Sequence, residues 1–232
     1  MKQLFISLFC VLLLVSCFEN TPIESGEHIP LDSICHYYSI ELNEADSMVG
    51  ITFSAWPIVD RNKRLTIPNV DKVEINRQIL TLENKSYKLY IPVQNIKNEI
   101  ITITYFSSDT VFYSKRIKIA RFYSCILDFD LNMYHDSIGV YFEPALNMFE
   151  ELKVEIKSKT DVVKRFEYNE SIRNGISFKR SMIDNSGMIN KTPIIRLQKL
   201  YVEKYTEPTS IQIKTSTRIE REVKDVPNYY SE

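Results

Sequence analysis

The chain has 232 residues, of which 14 are Tyr and 12 are Phe but only 5 are Gly. So few glycines argue against phosphate-cradling loops, because those loops need backbone that approaches a ligand closely. With 29 Lys and Arg against 30 Asp and Glu, the chain also lacks the basic surface that binds nucleic acid, so we expect no nucleic-acid partner.

The first residues read MKQLFISLFCVLLLVSC, with one charge at Lys2 and an apolar run over residues 4–15. As a helix this run would span about 18 Å, well short of the hydrocarbon core of about 30 Å. Residues 1–16 are therefore predicted to be an export signal and not a membrane span.

The tetrapeptide LVSC at residues 14–17 resembles the lipobox of bacterial lipoproteins. The resemblance implies that Cys17 becomes the first mature residue and carries acyl chains such as palmitate. More than one acyl chain holds a protein stably in a membrane leaflet. The expected location is the cell envelope, at the periplasmic or surface face of the outer membrane. The alternative is an ordinary secretory signal in which the Cys is a coincidence.

Residues 17–33 contain Pro22 and Pro30 and show no periodicity, which is typical of a flexible linker. After the linker, one stretch occurs twice, beginning at Cys35 and again at Cys125. The copies share the Cys, a Leu-Asn pair, an Asp-Ser turn, a Gly and a Phe in the same order. This order predicts two copies of one structural unit, at residues 34–120 and 121–232. Because equivalent positions in tandem units lie about one domain apart, Cys35 and Cys125 are expected to be buried and unbridged.

Alternating apolar and polar residues predict strands in both units. In the first unit they fall at residues 37–42, 49–55, 73–82 with a turn about Asn76-Arg77, 86–93, 100–106 and 111–119. In the second unit they fall at residues 125–131, 138–142, 152–157, 162–168, 176–182, 210–215 and 219–223. An insert at about residues 185–208 has no counterpart in the first unit, and its periodicity fits a helix or a strand.

The order of these elements, with consecutive strands such as SYKLYIPVQN, EIITITYFSS and TVFYSKRIKI, resembles bacterial immunoglobulin-like and fibronectin-III-like modules. The expected fold is therefore all-β, with two tandem immunoglobulin-like antiparallel β-sandwiches behind a lipoprotein signal peptide. Trp56 is expected to plug one end of the first sandwich.

The sequence contains no motif that would carry catalysis or hold a cofactor, so we expect a protein that is not an enzyme. His28, His36 and His135 have no nucleophile or orienting group at a recognisable spacing. Asp128 and Asp130 share one face of a strand and, with Asp136, offer oxygen ligands for Ca²⁺. We interpret them as a solvated outer face and expect no metal site.

Four aromatic residues are the candidates for binding, because exposed aromatic rings can serve as platforms for sugars. Tyr90 and Phe112 are predicted on the face opposite the core of the first unit, and Tyr201 and Tyr205 lie in the insert. The leading functional hypothesis is a lipid-anchored, non-catalytic envelope protein that contacts another envelope protein or serves a structural role. The alternative is a glycan-binding lipoprotein of a nutrient-uptake system.

Overall fold

The chain is described by a computed structural model that covers part of its length. The described residues are 23–25, 29–43, 47–83, 86–119, 121, 124–129, 137–143, 145–146, 150–157, 162–168, 175–179 and 194–222. Cys17, the predicted signal segment and most of the predicted linker lie outside these residues, as do His28 and His135.

Strands form where apolar and polar residues alternate, because successive side chains of a strand point to opposite faces. The strands of the first half are β1 (Ile23–Ser25), β2 (Ile34–Asn43), β3 (Met48–Pro57), β4 (Arg64–Thr66), β5 (Lys72–Ile75), β6 (Gln78–Ile79), β7 (Thr81–Glu83), β8 (Ser86–Pro92), β9 (Ile100–Ser107) and β10 (Thr110–Lys118). Single 3₁₀ turns occupy Leu31–Ser33, Val93–Asn95 and Lys97–Glu99. The predicted turn at Asn76-Arg77 is confirmed, and both residues have positive φ.

The second half is also built from strands in its described parts. They are β11 (Ser124–Phe129), β12 (Ser137–Glu143), β13 (Glu150–Lys157), β14 (Val162–Tyr168), β15 (Gly175–Lys179), β16 (Ile194–Tyr205) and β17 (Ser210–Glu222). The described part of the insert is therefore a strand, β16, and not a helix. The two strands predicted at 210–215 and 219–223 are one continuous strand, β17.

The strands form three sheets, and the predicted all-β class is confirmed. The large sheet has the order β1-β4-β3-β2-β17-β16-β13-β14, with β8 also paired to β3 and β7 to β8. The second sheet has the order β10-β9-β5-β6, and the third has the order β11-β12-β15. Both copies of the repeated sequence form an antiparallel hairpin, β2–β3 and β11–β12.

The large sheet joins the two halves of the chain through a parallel pairing of β2 with β17. This pairing runs from Cys35 opposite Ser210 to Asn43 opposite Arg218. The sheet is therefore continuous across the boundary predicted between residues 120 and 121. Whether the halves are two immunoglobulin-like domains stays a prediction.

The core of the first half lies between the large sheet and the second sheet. Tyr38 and Phe53 of the large sheet face Tyr105 and Tyr113 of the second, and the Phe53 and Tyr105 rings lie 6.4 Å apart. Ile211 and Ile213 of β17 belong to this core cluster. Other buried apolar residues of the second half lie outside it, namely Val140, Phe142, Leu146, Leu152, Val154, Ile156, Ile195, Leu197, Leu200 and Ile219.

A buried polar network runs through this core and involves His36. The Tyr113 hydroxyl lies 2.8 Å from His36 Nδ1 and 2.6 Å from the Tyr38 hydroxyl, while Tyr105 donates to Asp71 at 2.7 Å. Among the residues that the structure describes, His36 Nε2 has no hydrogen-bond partner. Burial lowers the pKa of His36 to about 3, so the imidazole is neutral in the folded protein at neutral pH.

Two sequence expectations are corrected here. Cys35 is a free thiol, but it is only half-buried on the outer face of β2, where Ser210 Oγ donates to its sulfur at 3.6 Å. Trp56 lies inside β3 and does not plug the end of the sandwich. It sits on the same outer face, 5.8 Å from the Tyr37 ring and beneath the Arg64 guanidinium.

The junction of β2 and β17 should depend on the buried hydroxyl of Thr209. Its Oγ1 donates to the carbonyls of Ile34 at 2.6 Å and Leu31 at 2.7 Å, which ties the start of β17 to the start of β2. We expect Thr209→Val to lower the free energy of unfolding by about 1–2 kcal/mol in urea denaturation, because buried carbonyls lose their donor. Thr104→Val is the matched control, since its hydroxyl bond to Ser114 is exposed, and it should change stability by less than about 0.5 kcal/mol. Equal effects of both substitutions would contradict this role of Thr209.

The buried His36 should make stability fall with pH below neutral. The unfolded chain takes up a proton at His36 near its ordinary pKa of 6.5, whereas folded His36 takes one up only near 3. Between these values unfolding binds a proton, so this contribution is complete above about pH 6.5 and decreases by about 1.4 kcal/mol per unit as pH falls.

We therefore expect the pH slope of the unfolding free energy, from urea denaturation at several pH values, to be shallower in His36→Gln than in the wild type. Tyr38→Phe is the control, because it removes a hydroxyl of the same network but keeps the imidazole. It should retain the slope. A His36→Gln slope equal to that of the wild type would contradict the assignment.

Candidate functional site

The outer face of the large sheet carries a row of residues that crosses both halves of the chain. Tyr90 of β8 pairs with Gly50 of β3, Gly50 pairs with Glu41 of β2, and Glu41 pairs with Ser216 of β17. Paired residues of neighbouring strands lie on the same face. The surface is therefore raised by the Tyr90 ring, lower at Gly50, and raised again by the Glu41 carboxylate.

Gly50 is required for the position of Tyr90. A Cβ atom built on Gly50 would lie 3.3 Å from Tyr90 Cε1, so the ring rests over the glycine backbone. Exposed aromatic rings often cover strand glycines in this way. Tyr90 nevertheless remains 59% exposed, which leaves much of the ring open to a ligand.

A second row of residues lies beside the first on the same face and lines the other side of the low region at Gly50. Met48, Asn43, Arg218 and Gln198 pair in that order across β3, β2, β17 and β16. The two rows enclose an open cavity of about 380 Å³, within the range of small-molecule sites. Its lining comprises Glu41, Leu42, Asn43, Met48, Gly50, Tyr90, Gln198, Ser216 and Arg218.

The polar lining offers donors and acceptors of several kinds. Gln198 donates to Ser216 Oγ at 2.6 Å, and Glu41 accepts from Ser39 Oγ at 3.0 Å. Arg218 Nε is buried and, within the described part of the chain, has no hydrogen-bond partner. Arg218 is thus a guanidinium at the cavity wall with donor capacity to spare. Among the described residues, Glu41 and Arg218 are the only ionised ones in the lining, so their formal charges cancel.

A ladder of ion pairs continues along the same face of the sheet. Glu155 lies between Arg165 at 2.6 Å and Arg196 at 2.8 Å, and Arg196 in turn contacts Glu220 at 2.7 Å. Burial alone would raise the pKa of Glu155, but hydrogen bonds from the two arginines outweigh it and hold the pKa below its ordinary value. These charges satisfy one another, and Arg218 of the cavity wall also acts on Glu220, since its charge contributes to the lowered pKa of that carboxyl.

The structure does not bring the predicted aromatic residues together. Tyr90 lines the cavity, but Tyr201 and Tyr205 lie on the other face of the sheet, since they alternate with the outward positions of β16. The Tyr205 ring packs against the first-half core beneath Lys115, whose Nζ lies 4.1 Å from the ring centroid. Its hydroxyl donates to Glu203, and burial together with this carboxylate raises the pKa of Tyr205 to about 12.

Phe112 does not lie on the predicted outer face. A register shift between Val111 and Tyr113 turns the β10 chain, so that Phe112 packs against the core and contacts the Tyr105 and Tyr113 rings. A bulge of this kind reverses the side-chain alternation on which the prediction depended.

Eight of the nine cavity residues were missed by the sequence reasoning, all except Tyr90. They are Glu41, Leu42, Asn43, Met48, Gly50, Gln198, Ser216 and Arg218. Leu42, Asn43 and Gly50 carried a signal, because they are shared positions of the repeat. The other five carried none, since their proximity depends on how the strands pair.

Among the residues that the structure describes, no three His, Cys, Asp or Glu side chains are grouped as a metal site requires. Asp130 and Asp136 of the Ca²⁺ alternative lie outside those residues. The described helices also include none with the length and hydropathy to cross a membrane.

Comparison with known proteins leaves the family open. No family model and no curated protein matches the chain. Among the solved chains that are similar, two are described as cytokine receptor complexes, in crystal forms 1A and 2. The first is 8% identical over 78% of this chain and 94% of that chain, with a TM-score of 0.32. The second is 8% identical over 71% and 90%, with a TM-score of 0.31. These scores are too low to support a functional inference.

Proposed function

We propose that the protein is a non-catalytic binding protein of the bacterial cell envelope, which is held in the membrane by acylated Cys17 and contacts another envelope protein. The observation that carries the contact role is the strand addition within the chain itself. β17 extends the first-half sheet by pairing with β2 along its length. The protein thus already uses backbone pairing at a strand edge to join separate segments.

The same chemistry is available at the far end of the large sheet. β14 (Val162–Tyr168) pairs with β13 on one side and, among the described strands, has no neighbour on the other. An edge strand presents unpaired N–H and C=O groups, which can bind an extended segment of a partner. Arg165 and Glu167 are exposed on this strand, and their side chains form ion pairs with Glu155 and Lys153 of β13.

A non-catalytic role in binding is also consistent with the structural role of His36 in the core. Its ring is fully buried and its pKa lies far below neutral. It therefore cannot reach a substrate, and its hydrogen bond to Tyr113 serves the core.

The second candidate function is a glycan-binding lipoprotein of a nutrient-uptake system. The observation that favours it is the exposed ring of Tyr90 at one end of the cavity.

The anchor can be tested with Cys17→Ser. In cells fed an alkyne-tagged fatty acid, we expect the wild type to carry the tag and partition into detergent. Cys17→Ser should lose the tag, because serine has no thiol to acylate. Cys35→Ser is the control and should remain tagged, since Cys35 lies within β2. A tag that persists on Cys17→Ser would show that the lipobox interpretation is wrong.

The contact role can be tested with a photo-cross-linking amino acid at Glu167 in intact cells. We expect one envelope protein to be cross-linked, identified by mass spectrometry, and to bind the purified protein. The matched control is Val202, which is exposed on the interior strand β16 and should give little product. No product from Glu167, or equal products from both positions, would count against the open edge as the contact surface.

A further inference from the structure

We propose that the cavity between Tyr90 and Arg218 binds a neutral saccharide, with one pyranose ring stacked on Tyr90. This assignment depends on the second candidate function and names its site and ligand class. It is independent of the protein contact at β14, which lies at the other end of the large sheet.

The shape of the cavity suits a flat, ring-shaped ligand. Strands in a sheet lie about 4.8 Å apart, so Tyr90 and Ser216, three strands from each other, are separated by about 14 Å. The Tyr90 ring covers part of Gly50, and the glycine adds no side chain in the rest of this interval. A sugar ring can therefore lie on the exposed face of Tyr90 and extend toward Glu41.

The lining matches the hydrogen-bonding character of sugar hydroxyls. A hydroxyl both donates and accepts, so it can donate to the Glu41 carboxylate and accept from the Arg218 guanidinium. Within the described residues, Arg218 Nε is a buried donor without a partner, and such a group gains most from a ligand acceptor. Gln198 is held in place by its bond to Ser216 and supplies a further amide.

The charge balance of the lining favours a neutral ligand. Glu41 and Arg218 contribute opposite unit charges, and the other lining residues that the structure describes are uncharged. An acidic sugar would gain from Arg218 but lose by repulsion from Glu41. A neutral saccharide uses both groups without that cost.

The molecule contains a matched internal control for an aromatic ring over a glycine. Tyr141 of β12 pairs with Gly175 of β15, is 50% exposed, and lies so close that a Cβ on Gly175 would be 2.9 Å from the ring. This pair is in the third sheet, away from the Glu41 and Arg218 cavity. Substitution of Tyr141 therefore shows whether any exposed ring over a glycine contributes to saccharide binding, or only the ring at this cavity.

The experiment uses isothermal titration calorimetry of the acyl-free wild-type chain with short neutral oligosaccharides of glucose, galactose, mannose and xylose. Tyr90→Ala should weaken binding by about tenfold or more, because the stacking surface is removed. Gly50→Thr should weaken it similarly by filling the depression. We expect Gly50→Thr to fold, because threonine is favoured in strands. The closest atom to the new Cβ, at 3.3 Å, belongs to the Tyr90 side chain, which can move aside. Tyr141→Ala should bind as the wild type does.

Each outcome decides between the hypotheses. Binding by the wild type that is lost in Tyr90→Ala and Gly50→Thr but kept in Tyr141→Ala supports the site. If Tyr90→Ala does not fold, as judged by circular dichroism, Gly50→Thr gives the answer. Binding that persists in Gly50→Thr overturns the cavity as the site and leaves the glycan-binding function standing. Failure of the wild type to bind any neutral oligosaccharide of the panel overturns both the saccharide site and the glycan-binding function. It does not affect the contact role at β14.

Discussion

The parallel pairing of β2 with β17 is the constraint on which the rest of the structure depends. Its register places Ile211 and Ile213 in the first-half core and, by alternation, places Ser216 and Arg218 beside Glu41 and Asn43 on the outer face. A slip of one residue would exchange these two sets. The guanidinium would then enter the buried face of the sheet, at a large cost in lost hydration. The same pairing therefore fixes the core and the candidate site.

The hairpin of β16 and β17 carries two different surfaces because its strands are long. One face bears Tyr205, which packs under Lys115 and so links the large sheet to the second sheet. The other face bears Gln198 and Arg218 at the cavity, followed by Arg196 in the ion-pair ladder. Aromatic residues of this hairpin are thus used mainly for packing, whereas its polar residues build the outer surface.

Local pattern was enough to predict most individual strands. Residues 162–168 form β14 as predicted, and Tyr87 and Ile91 point into the core as their alternation indicates. Pairing between strands was not predictable in the same way, because β2 and β17 are far apart in the chain and alternation specifies a face but not a neighbour. Phe112 shows a second limit, since one bulge in β10 reverses the face of a side chain without a clear sequence signal. Of the candidate site, only Tyr90 was therefore predicted from sequence, although Leu42, Asn43 and Gly50 recur in the repeat.

At Gly50, strand stability favours a residue with a side chain, whereas the candidate site favours glycine. A glycine inside a strand costs roughly 0.5–1 kcal/mol relative to alanine, because it loses more conformational freedom and packs no side chain. Gly50 lies within the ten-residue β3 and is paired on both sides, by β2 and β8. Its φ does not lie in the positive range that favours glycine. Backbone conformation therefore gives no reason for a glycine at this position, whereas the space over it does. Because Gly50 has no side chain, the Tyr90 ring lies close to the sheet and still remains exposed. Gly50 and the Tyr90 ring both line the cavity.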